Sequence, residues 1–301
     1  MSAAPERVLQ RLDWTVIRRL DGMLQGDYRT VFRGNGLDLA DIREYVPGDD
    51  VRYIDWNVTA RMDVPYVREY LEEREVTAWF LLDLSPSMDF GTARTKKLDV
   101  LIDLVGALAR VLTRHGNRVG AVLYGRGVER VIPARTGRVQ VLRILHELMD
   151  RPRPKSAPFT RLADLIEAGA RTIGRRSLVF VVSDLITAPG WERALGRLAR
   201  RHEVLAVRVL DPRERDLPDI GAIYMTDAET GEQMYIDTSD PRFRARFLAV
   251  AARRGAEQLA AFRRAQVDVL TLSTETDLVA SILRFAAQRR LARAKRQGAA
   301  S

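Results

Sequence analysis

The chain has 301 residues and an apolar fraction of 46%, enough for one large core or two modest ones in an ordinary globular protein. It has no cysteine, which excludes disulfides and thiolate metal sites and fits a reducing compartment; its three histidines, His115, His146 and His202, lack zinc-ligand spacing. A net charge of +9 admits nucleic acid, an anionic membrane or an acidic protein as partner, yet arginine is spread along the chain.

The first residues, MSAAPERVLQRLDW, show neither the apolar core nor the cleavage site of a signal peptide. No run reaches the roughly 20 apolar residues of a membrane span, so a cytoplasmic chain without a transmembrane segment is expected. Val8, Leu9, Leu12, Val16, Ile17 and Leu20 recur with a helical period. Residues 33–75 follow, rich in turn signals (Gly-Asn-Gly, Pro-Gly-Asp-Asp) and in charges of both signs. Tyr45, Val46, Ile54, Trp56, Tyr66, Val67 and Tyr70 give this stretch enough anchors to pack onto something.

From Val76 the pattern is regular. Largely apolar runs at 76–82, 118–124, 177–184, 203–210 and 267–272 read as strands, with helical periods between them. Leu101, Leu104, Val105, Leu108, Val111 and Leu112 line one helix face; Leu162, Leu165, Ile166 and Ala170 line another. Strands with little polar alternation, separated by amphipathic helices, predict an α/β fold: an open, mainly parallel sheet covered on both faces. Asp227 to Gly231 separates two extended runs and predicts an inserted β-hairpin near 220–238. The basic run Arg289–Arg296 carries no interleaved aromatics and reads as a solvated helix end. The expected organisation is an N-terminal helix and accessory segment (1–75), an α/β domain (76–288) and a basic tail (289–301).

One strand ends oddly. After Phe80-Leu-Leu the chain places Asp83, Ser85 and Ser87 at alternate positions, where ligands of an open α/β sheet bind. Asp184 ends a second apolar run in the same way. A set of oxygens suits a hard cation such as Mg2+, with Mn2+ or Ca2+ as alternatives. Thr160, at a helix start, is the expected loop hydroxyl, and Thr136 is the competing donor. Each residue alone reads more readily as a cap or turn former; two strands ending in Asp together favour the ion.

Asp83-Leu-Ser85-Pro-Ser87 resembles the Asp-x-Ser-x-Ser motif of von Willebrand factor A-type domains, whose metal-ion-dependent adhesion site adds a loop Thr and a later Asp. Thr160 and Asp184 match these in order and approximate spacing. The resemblance implies that the serines and threonine ligate the ion directly or through water, that the aspartates act partly through water, and that a partner's Asp or Glu fills the open position. In that family Asp-Gly commonly ends the third motif; here it is Asp184-Leu185. The stretch from Arg33 to Glu75, with Asp211 to Thr238, resembles the bacterial family called domain-of-unknown-function fifty-eight. Its members carry a von Willebrand A-like domain and commonly accompany MoxR-type AAA+ ATPases. The resemblance therefore implies a MoxR-type ATPase and its client protein as partners, with this chain as adaptor or co-chaperone. Arg43, Glu44, Asp49, Asp50, Arg52, Asp55 and Arg61 belong to the first signature. They read either as a salt-bridged scaffold or as a docking surface or second shell near the metal.

Enzyme signatures are scarce. An Asp-x-Asp-x-Thr phosphatase needs a carboxylate where Ser85 stands, and Asp89-Phe90-Gly91 lacks the other kinase motifs. Neither a P-loop nor a Gly-x-Ser-x-Gly elbow occurs. A metal-dependent hydrolase using Asp49 or Asp50 as base, and a basic nucleic-acid binder, are the alternatives. The reading favoured is a non-enzymatic protein-binding module without a small-molecule substrate.

Overall fold

The computed structural model describes residues 4–17, 20, 42–68 with gaps at 48, 50, 52–53 and 63, and 76–298 with gaps at 93–94, 152–158 and 228–229. Helix α1 (Ala4–Leu12) opens the chain and passes into a π-helical turn at Asp13–Ile17. Strand β1 (Ile42–Glu44), helix α2 (Trp56–Met62) and β2 (Tyr66–Arg68) follow, β1 pairing β2 antiparallel. The segments 21–41 and 69–75, with Asp50 and Arg52, lie outside the described residues.

The main sheet begins with β3 (Thr77–Asp83), buried at every position after Thr77. Helix α3 (Lys97–Arg114) leads to β4 (Arg118–Tyr124) and the antiparallel edge strand β5 (Val128–Arg135). Helices α4 (Arg138–Met149) and α5 (Leu162–Thr172) precede β6 (Leu178–Ser183). Helix α6 (Trp191–Arg201) leads to β7 (Glu203–Leu210). The hairpin of β8 (Ala222–Thr226) and β9 (Gln233–Asp237) forms a separate ribbon in which Tyr224 faces Tyr235. Helix α7 (Pro241–Arg264), strand β10 (Asp268–Ser273) and helix α8 (Leu278–Gly298) complete the described chain.

The six strands lie in the order β10-β7-β6-β3-β4-β5, all parallel except β5. Parallel strands need crossovers, and the crossovers cover both faces. Ala78, Phe80 and Leu82 pack with α1, α3, α4 and α8; Trp79 and Leu81 pack with α5, α6 and α7. This two-sided burial explains the absence of polar alternation in the strand sequences. Phe80 and Phe180 stack at 5.0 Å across the β3–β6 pair, and Trp191 meets Phe262 at the same distance on the other face. Gly169 lets α5 approach closely: a Cβ there would meet Leu81 Cδ1 at 2.6 Å. Gly106 likewise gives Leu12 room, so α1 rests on α3.

The connections set where a ligand can sit. From β3 the chain moves one way to β4; from β6 it moves the other way to β7. The carboxyl ends of β3 and β6 therefore flank the topological switch point, where the crevice of an open α/β sheet forms.

Candidate metal centre

Asp83 is the last residue of β3, and Asp184 follows the last residue of the neighbouring β6. Asp83 is fully buried. Its Oδ2 accepts the Ser183 hydroxyl at 2.7 Å and its Oδ1 accepts the Ser85 N–H at 3.0 Å. Burial, and then the charge of Asp184, push its carboxyl up to about 7. Three hydrogen bonds, from the Ser183 hydroxyl and from the Ser85 N–H and hydroxyl, lower it again but do not outweigh burial and the Asp184 charge.

After Leu84 the chain enters a short 3-10 turn, Pro86–Asp89. Ser85 stands at the cap position of that turn, but its side chain makes no cap bond. Its Oγ lies instead 3.1 Å from Ser87 Oγ, and both residues are buried. Adjacent ligands of an octahedral magnesium with bonds near 2.0–2.1 Å are separated by about 2.9 Å, so this hydroxyl pair has the spacing of one octahedral edge. The donor set is all oxygen, as a hard cation needs. Among the described residues no group of three or more His, Asp or Glu forms a metal cluster, so a cation here would rest on hydroxyls as much as carboxylates.

Thr160 is also buried, and Arg161 rather than Thr160 takes the N-cap of α5, with no side chain capping it. The Thr160 carbonyl accepts the Ala188 N–H and the Thr187 hydroxyl, both at 2.8 Å. Arg161 N–H donates to the Tyr124 hydroxyl at 3.1 Å. The loop carrying Thr160 is thus pinned between the end of β4 and the loop after β6. Thr136 follows β5, whose last residue pairs with Val119 near the start of β4, and is exposed at the opposite end of the sheet. Geometry therefore separates the two threonines.

Asp184 Oδ1 accepts the Ile186 N–H at 2.9 Å. Its Oδ2 accepts Lys97 Nζ at 2.6 Å, with both side chains wholly excluded from solvent. Leu185 takes φ 64°, the left-handed conformation that glycine adopts freely. Its N–H donates to Ser183 Oγ at 2.9 Å and its carbonyl accepts Gln258 Nε2 at 3.0 Å. The loop thus follows a glycine-like path with a leucine buried in the core.

Four supporting residues escape the sequence reading: Lys97, Ser183, Asp211 and Glu214. Lys97 also bonds the Glu214 carboxylate and lies 5.8 Å from the Phe90 ring centroid. Burial alone would lower its pKa; the charges of Asp184 and Glu214 outweigh that and hold it above the usual value. Glu214 is raised by its own burial despite Lys97. Glu214 Oε2 accepts the Asp211 N–H at 3.1 Å, closing a capping box over the turn Pro212–Glu214. Asp211 in turn accepts Thr92 N–H at 3.0 Å, Thr92 Oγ1 at 2.7 Å, Arg213 N–H at 2.9 Å and Thr274 Oγ1 at 2.9 Å. Burial pulls Asp211 upward, but these donors overcome it and leave its carboxyl below the usual value. An open depression of about 550 Å³, lined by Thr95, Asp103, Thr274, Glu275 and Asp277, flanks this loop rather than covering Ser85 and Ser87.

The charged signature behaves differently. Arg43 grips Asp49 with two bonds, Nη1 to Oδ2 at 2.7 Å and Nη2 to Oδ1 at 2.8 Å. Asp49 Oδ2 also accepts the Val46 N–H at 2.9 Å. Asp55 is buried and stands before α2, its Oδ1 accepting the Val58 N–H at 3.3 Å. Glu44 and Arg61 are exposed. These described contacts are local scaffold contacts; Asp50 and Arg52 lie outside the described residues.

Over 282 residues the chain is 38% identical to a Mycobacterium tuberculosis protein named only as uncharacterized, covering 94% of this chain and 89% of that one. Among solved structures, BatB from Bacteroides thetaiotaomicron aligns with a TM-score of 0.44 at 16% identity, covering 73% of this chain and 99% of that one. The VWA domain of SpRpn10 aligns with a TM-score of 0.39 at 12% identity, covering 70% and 94%. Residues 41–257, which take in both the charged signature and the strand ends with Asp83 and Asp184, match the family described as protein of unknown function DUF58, and the chain belongs to that family.

Proposed function

We propose that this chain is a non-enzymatic protein-binding module that holds a divalent cation, Mg2+ by preference, at the carboxyl ends of β3 and β6. The observation that carries the reading is the pair of buried hydroxyls, Ser85 and Ser87, 3.1 Å apart beside a buried carboxylate that has no cation paired with it among the described residues. Ser85, Ser87 and Thr160 would offer hydroxyls to the ion, and Asp83 and Asp184 would act as acceptors around it. Bound there, the cation supplies positive charge for an acidic side chain of a partner protein. The chain's own residues prepare that contact. Ser183 and the Ser85 N–H orient Asp83; Lys97 and the Ile186 N–H fix Asp184; Tyr124 and Thr187 hold the Thr160 loop in place. The sequence resemblance supplies the partner class: a MoxR-type AAA+ ATPase, for which the chain acts as adaptor toward a client protein.

A hydrolase using Asp49 as base has less support. The Arg43 bonds and the Val46 N–H hold that carboxyl at about 2, far from the value that suits a general base near neutrality.

Thermal melting with and without millimolar Mg2+, on wild type and on Asp83→Ala, tests the reading. Cation at a hundred times its dissociation constant adds about 2.7 kcal/mol, a rise of several degrees, to wild type only. An affinity pull-down with the MoxR-type ATPase should then retain it with Mg2+ and lose it with chelator. Wild type indifferent to Mg2+, Mn2+ and Ca2+, with and without that ATPase, would remove the cation from the account.

A further inference from the structure

Lys97 is the least expected side chain at this site. It occupies the first turn of α3, where the helix dipole disfavours a cation. It is wholly buried, which costs a charged group heavily unless it is paired. It falls on the stripe of Leu101, Leu104, Val105 and Leu108, where an apolar residue would pack well. Tying α3 to the strand ends needs no charge, because a buried ion pair is often replaceable by apolar side chains at no loss. What an apolar side chain cannot supply is the positive charge placed 2.6 Å from Asp184 Oδ2.

The local charges can be counted. Asp83, Asp184 and Glu214 bring three carboxylates to this end of the sheet, and Lys97 bonds two of them. Among the described residues Asp83 is bonded by hydrogen-bond donors and has no cation on it, while Asp184 acts on it with a like charge. From this we infer that Lys97 is a positioning and charge-setting residue, a resident monovalent cation that neutralises Asp184 so that a divalent ion at Ser85 and Ser87 meets one uncompensated carboxylate instead of two. The ion then keeps excess positive charge and binds weakly until an external carboxylate arrives. Glu214, partly exposed and bonded to the same ammonium, shares the charge of Lys97 and limits the effect. The inference rests on the cation reading above and names what sets the strength of that site.

The test is Mn2+ binding to the full chain, followed by electron paramagnetic resonance of the free ion, for wild type, Lys97→Met, Glu214→Gln and Asp83→Ala. Lys97→Met frees the charge of Asp184 and should tighten Mn2+ binding by about tenfold or more. Glu214→Gln leaves Lys97 to Asp184 alone and should weaken it several-fold. A thermal melt of each variant checks folding, and excess Mn2+ should raise the midpoint of Lys97→Met more than that of wild type. If Lys97→Met fails to fold, Glu214→Gln decides: weaker binding supports the inference and unchanged binding overturns it. Wild type that binds Mn2+ through Asp83, with a folded Lys97→Met no tighter, overturns the role of Lys97 and leaves the cation site standing. No Mn2+ binding by any of the four proteins, alone or with the MoxR-type ATPase present, overturns both.

Discussion

Asp49 sits between two kinds of donor, the Arg43 guanidinium and the Val46 N–H, and both favour its charged form. Its carboxyl is held at about 2, well below the unfolded value of about 3.9. A depressed carboxylate contributes stability that is fully present above the unfolded value and is lost as pH falls through the folded one. A carboxyl-carbon NMR titration should therefore find Asp49 ionised down to about pH 2, and Arg43→Gln should bring its midpoint back toward 4. A midpoint near 4 in wild type would mean that the guanidinium does not hold the carboxylate in solution. The charges of Arg43 and Asp49 were legible in the sequence, but their pairing was not, because residues 43 and 49 meet only through the turn between them. Leu185 teaches the same lesson. A motif that usually places glycine after the aspartate carries leucine here, and spacing alone leaves the path of the loop open. The structure keeps a left-handed φ of 64°, at a cost of about 1–2 kcal/mol, which burial of the leucine side chain, about 1.5–3 kcal/mol, offsets.

The loop between β3 and α3 is the element that carries the candidate hydroxyls, and it is held from outside itself. Gly91 allows its backbone to pass the start of α3, since a Cβ there would stand 2.6 Å from both Lys96 Cα and the Thr95 carbonyl oxygen. Thr92 hangs on Asp211 and Thr95 Oγ1 donates to the Thr274 carbonyl at 2.7 Å, which anchors the loop to the ends of β7 and β10. Asp211→Ala removes a buried acceptor from four donors and should cost about 2–4 kcal/mol. Native-state hydrogen exchange should show the Thr92 amide losing its protection, while amides in the middle of β3 keep theirs relative to global unfolding. Equal loss across the sheet would show that Asp211 stabilises the fold without acting on the loop in particular. Asp211 and Glu214 left a trace in the sequence, the Asp-x-x-Glu spacing of a capping box. Lys97 left another, a lysine on an apolar helical stripe. The five parallel strands and the hairpin were legible because two-sided burial writes long apolar runs and tight turns write glycine. Strand β5 was not: it is an edge strand with Ile132 as its one buried residue and Pro133 inside it, so its sequence lacks a strand's signature.

At the scale of the whole molecule, the question is whether the N-terminal helix belongs to the same cooperative unit as the sheet. Leu9, Leu12, Val16, Ile17 and Leu20 join the core cluster that contains Phe80 and Phe180, so the helix shares its apolar face with α3 and α4 instead of burying a face of its own. Ion pairs cross the same boundary, Glu6 to Arg138 and Asp103 to Arg11, but both are partly exposed and contribute little beside the leucines. Leu12 is buried and sits where Gly106 lets it approach α3, so truncating it leaves a cavity in the core. Leu12→Ala should therefore cost about 2–5 kcal/mol. In a Trp14→Phe, Trp56→Phe background the buried Trp79 and Trp191, which lie on the far face of the sheet from α1, report whether that loss is felt throughout. In a single cooperative unit, tryptophan fluorescence and far-ultraviolet circular dichroism both move to the same lower denaturant midpoint with the slope unchanged. If α1 melts on its own, the circular dichroism gains an early step and the tryptophan midpoint stays where it was. The first result makes the N-terminal helix part of the platform that holds the strand ends; the second makes it an appendage whose displacement leaves Asp83 and Asp184 in place.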